Sequence, residues 1–259
     1  MTTTRHHGEI LLPWRTRAEM IVRSLFIQAT NHFERMLSLG FLFALWPVIK
    51  KKYPEPEARK EAVLRHLSFF NTQPYLANCI LGVVANIELR GGEDVGRDVA
   101  NIKKAMMGAF GALGDELFWT GLMPASALAA LVVYGLFPGH AFVGAVVALI
   151  IYNSFQFWAR VRLFNVGLRL GPRIATYLKL LWLPQLALAV KIVAAFLLGA
   201  FTVIMVWRAV HDDSFGTAGG LAVVGAAVLS FVLQGLGVRP GVCWYLVSAL
   251  AFGCVIVVG

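Results

Sequence analysis

The sequence predicts an all-α integral membrane protein, with N-terminal amphipathic and re-entrant or broken helices followed by about five transmembrane helices. Three observations predict it. Long apolar runs fill the second half of the chain, each of a length that suits a bilayer of about 30 Å hydrocarbon thickness. Hydrophobic residues make up 58% of the sequence and charged residues only 14%, against about 25% charged in soluble domains. The apolar stretch 69–88, FFNTQPYLANCILGVVANIE, is interrupted by Asn71, Thr72, Gln73, Pro74 and Asn78. Such groups at bilayer depth need partners, since no water takes up their hydrogen bonds and Pro74 lacks a backbone donor. A broken membrane helix of this kind is where amides and freed carbonyls gather around a polar solute. The competing reading is a kink whose amides bond only neighbouring helices.

The charge pattern gives orientation. Twelve of the fourteen acidic residues precede Gly121, and only Asp212 and Asp213 follow. The net charge of +9 sits in short connections between apolar runs, which fits the positive-inside rule and not a nucleic-acid partner. Cys79, Cys243 and Cys254 lie in apolar runs without CxxC spacing and read as packing residues. The first twenty residues, with His6, His7, Glu9, Arg15, Arg17 and Glu19, contain no apolar core of signal-peptide length. A cytoplasmic N-terminus is expected.

In chain order, residues 1–18 read as a cytoplasmic tail, 19–121 as an amphipathic and broken-helix region, and 122–259 as a transmembrane helical region, all in one membrane domain. Over 19–40, Val22, Phe26, Ala29, Phe33, Met36 and Gly40 recur at three and four, while Glu19, Arg23, Asn31 and Glu34 fall elsewhere. That spacing predicts one amphipathic helix on a membrane surface or a partner. The run 37–48 is too short to span and should re-enter or extend that helix. After Pro54 and Pro56 a charged helix, 57–66, leads into the break. Residues 90–104 read as a solvated connection or short helix.

Candidate spans follow at 122–137, 141–158, 183–207, 219–236 and 242–258. A weaker interfacial element is expected over 163–181, because Arg169, Arg173 and Lys179 interrupt it. Arg160, Arg162, Arg169, Arg173 and Lys179 occur without an acid, which places their segment in the cytoplasm. Alternation puts 138–140 and the His211, Asp212, Asp213 loop outside, Arg239 inside and the C-terminus outside. Lys191 lies within an apolar run, where function competes with snorkelling to an interface.

Gly108, Gly111 and Gly114, spaced by three, offer a face for close backbone approach. Asp115, Glu116, Leu117, Phe118 and Trp119 follow. Asp115 and Glu116 are open to two readings, a functional carboxylate pair or a helix start with Asp115 as N-cap and Glu116 in the first turn. Trp119 suits a membrane interface.

Three segments together resemble one family. RSLFIQATNHFERMLSLGFLFALWPVIKKKYP, RHLSFFNTQPYLANCILGV and GALGDELFW are similar, in that order, to signatures of the IID component of mannose/fructose/sorbose-type phosphotransferase systems. Those signatures run roughly Gln-Gly-Ser-Trp-Asn-Phe-Glu-Arg-Met-Gln, Phe-Phe-Asn-Thr-His-Pro-Tyr and Gly-Ile-Gly-Asp-x-x-Phe-Trp. The resemblance extends over essentially the whole chain. Gln73 stands where the family usually has His, Ala29, Thr30 and His32 alter the first signature, and Leu37 replaces a common Gln.

The resemblance implies a membrane subunit in the bacterial cytoplasmic membrane that forms, with a IIC subunit, the path of a hexose-type sugar. Soluble IIA and IIB components complete such a system, and phospho-IIB phosphorylates the sugar on entry. The amides of Asn71, Gln73 and Asn78, with Thr72 among them, offer donors and acceptors that suit sugar hydroxyls and are substrate-path candidates; the resemblance adds Glu34 and Asp115, with Arg35 beside them. Arg35, Pro74, Gly114, Phe118 and Trp119 are the motif's structural residues. Glu34 and Arg35 could equally form an ion pair. No cofactor or metal is implied, and the chain has no GxxxxGK[ST], GxSxG or HExxH motif. The histidines, His32, His66, His140 and His211 among them, show no catalytic partner in sequence. A non-transporting scaffold or receptor of the same family is the alternative function, and an independent enzyme using Asp115 and Glu116 lacks a complete acid, base and nucleophile set.

Overall fold

The structure is a computed structural model that describes residues 12–174 and 183–211, with positions 225, 228 and 229. Span 242–258, most of 219–236, and Lys179, Asp212, Asp213, Arg239, Cys243 and Cys254 lie outside the described residues. The described chain is helical: α1 (Trp14–Ser24), α2 (Ser38–Lys52), α3 (Pro56–His66), α4 (Ala77–Arg90), α5 (Val95–Leu117), α6 (Met123–Leu136), α7 (Ala141–Leu170) and α8 (Leu183–His211). Three continuous helical stretches among the described residues are long and apolar enough to cross a membrane, Val95–Leu136, Pro138–Arg173 and Leu183–Arg208.

The chain forms two compact units, one of residues 1–126 and 148–193, the other of 127–147 and 194–259. In the second unit Gly144 meets the Ala130 carbonyl and Gly135 meets Ile204 closely enough that a Cβ would collide. These small residues let helices approach without a side chain between them. The first unit holds the polar motifs and a core in which Phe41, Phe70, Phe110, Phe118 and Phe164 are fully buried.

The single amphipathic helix expected over 19–40 is two helices. α1 ends at Ser24, whose buried hydroxyl donates to the Ile21 carbonyl at 2.6 Å, and whose own carbonyl accepts from Arg160 Nη1 at 2.8 Å. Turns follow, then a short bridge from His32 to Met36, with Met36 at φ 50° in the left-handed region. The fold folds back here because Gly40 lets α2 lie against the Ile27 backbone, leaving no room for a Cβ. Phe33, placed by periodicity on the apolar face, is 92% exposed. The run 37–48 therefore neither extends α1 nor stands alone. It is α2, with Phe41, Ala44, Leu45, Val48 and Ile49 buried in the core.

The charged helix after Pro54 is α3, with Pro56 at its first position, as fixed φ and the missing N–H favour. Residues 90–104 are not a separate connection. Gly91 ends α4 with φ 67°, Asp94 accepts from the Arg97 N–H at 3.0 Å as N-cap, and α5 begins at Val95. The element expected at 163–181 does not begin as a separate one, and its residues 175–181 lie outside the described residues. Its first part belongs to α7, which runs unbroken to Leu170 before a tight turn over Gly171–Arg173. Arg160 is buried and Arg169 exposed, so one helix carries arginine out of the apolar region instead of stopping before it. α4 and α7 cross through a reciprocal glycine pair, Gly82 on the Phe164 carbonyl and Gly167 on the Cys79 carbonyl.

Candidate functional site

The three segments that carry the family resemblance are far apart in sequence and meet in the first unit. The polar break is complete: residues 67–76 carry no helix, and α4 starts only at Ala77. Its upstream end pairs with the first segment through the backbone. Leu37 N–H donates to the Phe70 carbonyl at 2.9 Å, and Phe70 N–H to the Arg35 carbonyl at 3.4 Å. Its downstream end lies on the third segment. A Cβ on Gly114 would collide with the Gln73 side chain and with Leu76, so glycine is required where α5 passes the break. Gly111 approaches the Thr72 backbone, while Gly108 faces open space. The triple-glycine face is thus used over two of its three positions.

Within the break each polar group has a different task. Gln73 Oε1 accepts from the N–H groups of Tyr75 at 2.7 Å and Leu76 at 3.1 Å, satisfying donors that Pro74 and the start of α4 leave open. Thr72 donates to the Met107 carbonyl at 3.1 Å. Asn78 is fully buried and donates to Ser24 Oγ at 2.9 Å, tying the break to the end of α1. Gln73 Nε2 and Asn78 Oδ1 are buried without a bonded partner. Asn71 differs, for its side chain is exposed while its N–H meets Met107 Sδ at 3.4 Å.

An aromatic and cationic cluster holds the downstream end. The Tyr75 ring lies edge-on to Phe118 at 4.6 Å and 6.1 Å from Trp119. Its hydroxyl is 3.0 Å from that of Tyr152. The Arg160 guanidinium sits 4.8 Å over the same ring. Phe118 continues the contact to Phe155 on α7 at 5.7 Å. Immediately after Leu117 the helix widens into one π turn over Phe118–Leu122, a local expansion often found where helices carry function.

That continuity removes the N-cap reading of Asp115. No helix starts there; Asp115 is an exposed residue inside α5, and α5 passes through the π turn into α6. Glu116 is not a first-turn dipole partner either. Its Oε1 accepts from Lys191 Nζ at 2.7 Å, with both side chains about half exposed. Lys191 is therefore held by a carboxylate on a neighbouring helix, a partner neither of its two sequence readings named. Of the other candidates, Glu34 and Arg35 are both exposed, and the mutual ion pair of their alternative reading is not among the pairs formed in the described residues.

A second polar cluster has no motif in the sequence. Glu88, fully buried, accepts from Tyr53 Oη at 2.6 Å and from His66 Nε2 at 2.8 Å, with Arg65 Nε at 3.3 Å. His66, for which the sequence shows no catalytic partner, is fully buried with Glu88 as its hydrogen-bond partner. Burial pushes the His66 imidazole down to about 4 against the opposing pull of Glu88, so it is neutral near pH 7 and its Nε2–H donates to the carboxylate. Burial likewise raises the Tyr53 hydroxyl to about 12, with Glu88 reinforcing it. Burial acts to raise the Glu88 carboxyl, but the bonds from His66 and Tyr53 and the charge of Arg65 prevail and lower it. Lys103 of α5 lies beside this cluster, with Nζ 4.6 Å over Phe41 and 3.5 Å from the His66 carbonyl. The only sequence signal was an ionisable residue, Glu88, at the end of an apolar run; its partner His66 lies 22 residues away.

Comparisons with known proteins add the following. The profile of the "PTS system mannose/fructose/sorbose family IID component" matches residues 12–212. The chain is 34% identical over 186 residues to the "PTS system mannose-specific EIID component" of Escherichia coli (strain K12), covering 70% of this chain and 64% of that relative. It thus spans just under two thirds of the relative's length. Two solved structures are similar. "Structure of membrane protein" superposes with TM-score 0.69 at 25% identity, covering 94% of this chain and 97% of that one. The cryo-EM structure of the mannose transporter ManYZ in complex with microcin E492 gives TM-score 0.58 at 26% identity over the same shares.

Proposed function

The chain belongs to the IID component family of mannose/fructose/sorbose phosphotransferase systems, and on that premise we propose that it forms, with a IIC-type membrane subunit, the path of a hexose-type sugar. Phosphorylation on entry falls to a soluble phospho-IIB component, with IIA upstream of it. The observation that carries this reading is the convergence of the three family segments on the break at 67–76, through the Leu37 to Phe70 backbone bond and the Gly114 seat under Gln73.

The polar residues divide by exposure. Asn71, Glu34 and Asp115 present free side chains to the sugar path or the partner subunit. Thr72, Gln73 and Asn78 are buried and support the same path from behind, by fixing the shape of the break. Pro74 and the aromatic pair Phe118 and Trp119 hold its downstream end. The amide of Asn71 offers both donor and acceptor, which suits a sugar hydroxyl.

In the bacterial cytoplasmic membrane the N-terminal helices lie at or re-enter the cytoplasmic side, and about five helices span. The basic segment 160–173 faces the cytoplasm and the C-terminus the outside. Exposed apolar side chains such as Phe142, Phe196 and Val203 on the long helices suit lipid or a IIC subunit. The test is sugar uptake in cells beside co-purification with the IIC subunit. Asn71→Ala should lower uptake while the complex still forms. Unchanged uptake in Asn71→Ala would remove the break from the path and favour a scaffold role.

A further inference from the structure

We propose that the cleft between α1 and the C-terminal half of α7 binds an anionic phospholipid. The cleft has a volume of about 630 Å³ and is lined by eight residues, of which three are arginines, Arg17, Arg162 and Arg169, and none is acidic. A cleft of this size takes a drug-sized molecule. Arg162, Asn165 and Arg169 follow one another at three and four positions along α7, so they share one face. Arg17 reaches across from α1, donating Nη1 to Asn165 Oδ1 at 3.4 Å. Its Nε is buried and has no bonded partner. A buried guanidinium donor with no acceptor is costly, and a phosphate oxygen is the acceptor whose charge and geometry match it.

The apolar walls select a lipid over a free anion. Phe157 and Trp158 line the same cleft one turn before Arg162 and are about half exposed. The thirty residues of α7 extend about 45 Å at 1.5 Å per residue, well beyond a hydrocarbon core of about 30 Å. Its apolar part therefore lies in the bilayer and its arginine-bearing end outside it. Trp158 marks the transition, as tryptophan does at membrane interfaces. An anionic head on the arginines with acyl chains along Phe157 and Trp158 satisfies both halves of the cleft. A second basic cleft, between α1 and α2, is lined by Arg23, Lys50 and Lys51 but also by Glu19. There Glu19 already pairs with Arg23 at 2.9 Å, so its charge is partly compensated and it offers no comparable site. The proposal rests on membrane location and on these side chains, independently of the sugar reading.

The test reconstitutes the full chain in phosphatidylcholine vesicles that contain either brominated phosphatidylglycerol or brominated phosphatidylcholine, and reads tryptophan quenching. Subtracting the signal of Trp158→Phe isolates Trp158. Brominated phosphatidylglycerol should quench Trp158 at lower mole fraction than brominated phosphatidylcholine. Arg162→Gln and Arg169→Gln, both at exposed positions, should each lower that preference about fivefold, the worth of one basic residue at an anionic surface. Lys50→Gln with Lys51→Gln should leave it unchanged. Equal quenching by the two lipids would overturn the proposal, as would an equal loss in the Lys50, Lys51 variant, which would make the effect one of general surface charge. Displacement of phosphatidylglycerol by inorganic phosphate would make this a free-anion site, and displacement by soluble polyglutamate a protein dock; either contradicts a lipid. Melting temperatures of the variants in the same vesicles control for folding.

Discussion

Two polar clusters in the same unit, only a few residues apart in sequence, are built in opposite ways. Around Glu88 every participant faces inward: Tyr53, His66 and Arg65 converge on one fully buried carboxylate, and Lys103 closes the side over Phe41 and Phe70. Around the break at 67–76 the bonds run the other way. Thr72, Gln73 and Asn78 spend their groups on the backbone and on Ser24, which leaves Asn71 pointing out. The first arrangement joins α3 to α4 and has nothing to offer a ligand. The second uses its buried amides to hold an irregular backbone that leaves one amide, Asn71, exposed. A buried polar group is thus a poor guide to a binding site unless its partners are known. Glu88 has the stronger electrostatics, and Asn71 the better access.

The comparison is broken most severely at Glu88. Removing one member of a buried, hydrogen-bonded charge pair costs about 3–5 kcal/mol, so Glu88→Ala should lower the melting temperature in detergent more than any change in the break. A loss below about 1 kcal/mol would mean that the cluster is hydrated and not closed. Acid probes the same cluster without mutation. His66 titrates near 4 in the fold against 6.5 when free. Below pH 6.5 the unfolded chain takes up a proton that the folded one refuses, so stability present above that value is lost as pH falls towards 4. Glu88, lowered in the fold, adds loss in the same direction at still lower pH. Arg65 and Lys103 beside them are cationic and oppose His66 protonation further. The expected loss is about 3 kcal/mol for a depression of this size, read from unfolding at a series of pH values. Stability that is flat from pH 7 to 4 would show His66 solvated.

Within the break the expected effects are smaller. Gly114→Ala drives a methyl group into Gln73 and Leu76, an overpacking that costs about 1–3 kcal/mol and should lower stability and uptake together. Gly108→Ala, where the same face is open, should be neutral to stability, and the difference between the two measures the seat. Gln73→Ala leaves two N–H groups unpaired, for about 1–3 kcal/mol. Uptake that falls with no loss of stability in Gln73→Ala would move Gln73 from the scaffold to the sugar itself.

How much of this was legible in sequence depends on the range of the contact. α3 was legible because Pro54 and Pro56 are local signals, and the polar interruption of 69–88 was visible because five polar or helix-breaking residues stand out in an apolar run. The division of α1 from α2 was not. Phe26, Ala29 and Phe33 keep helical spacing through turns, and what breaks the helix is a backbone contact between Ile27 and Gly40 together with Arg160, 136 residues beyond Ser24. Asp115 looked like a cap for the opposite reason. Acid after glycine is a local start signal, but Gly114 is there to admit Gln73, and the helix runs through it. Asn71 could not be told from Gln73 or Asn78 by residue type. Only the backbone donors of Tyr75 and Leu76, and the hydroxyl of Ser24, separate the three.

The measurement that bears most directly on the central claim is sugar uptake by Asn71→Ala in cells, normalised to the amount of chain recovered with the IIC subunit. The exposed amide has no side-chain bond to lose in the fold, so melting temperature and complex recovery should match the unaltered protein. Uptake should fall severalfold, as expected for one lost hydrogen bond of about 1 kcal/mol to a sugar hydroxyl. Full uptake with an intact complex would contradict the account and leave the break a structural joint between α3 and α4.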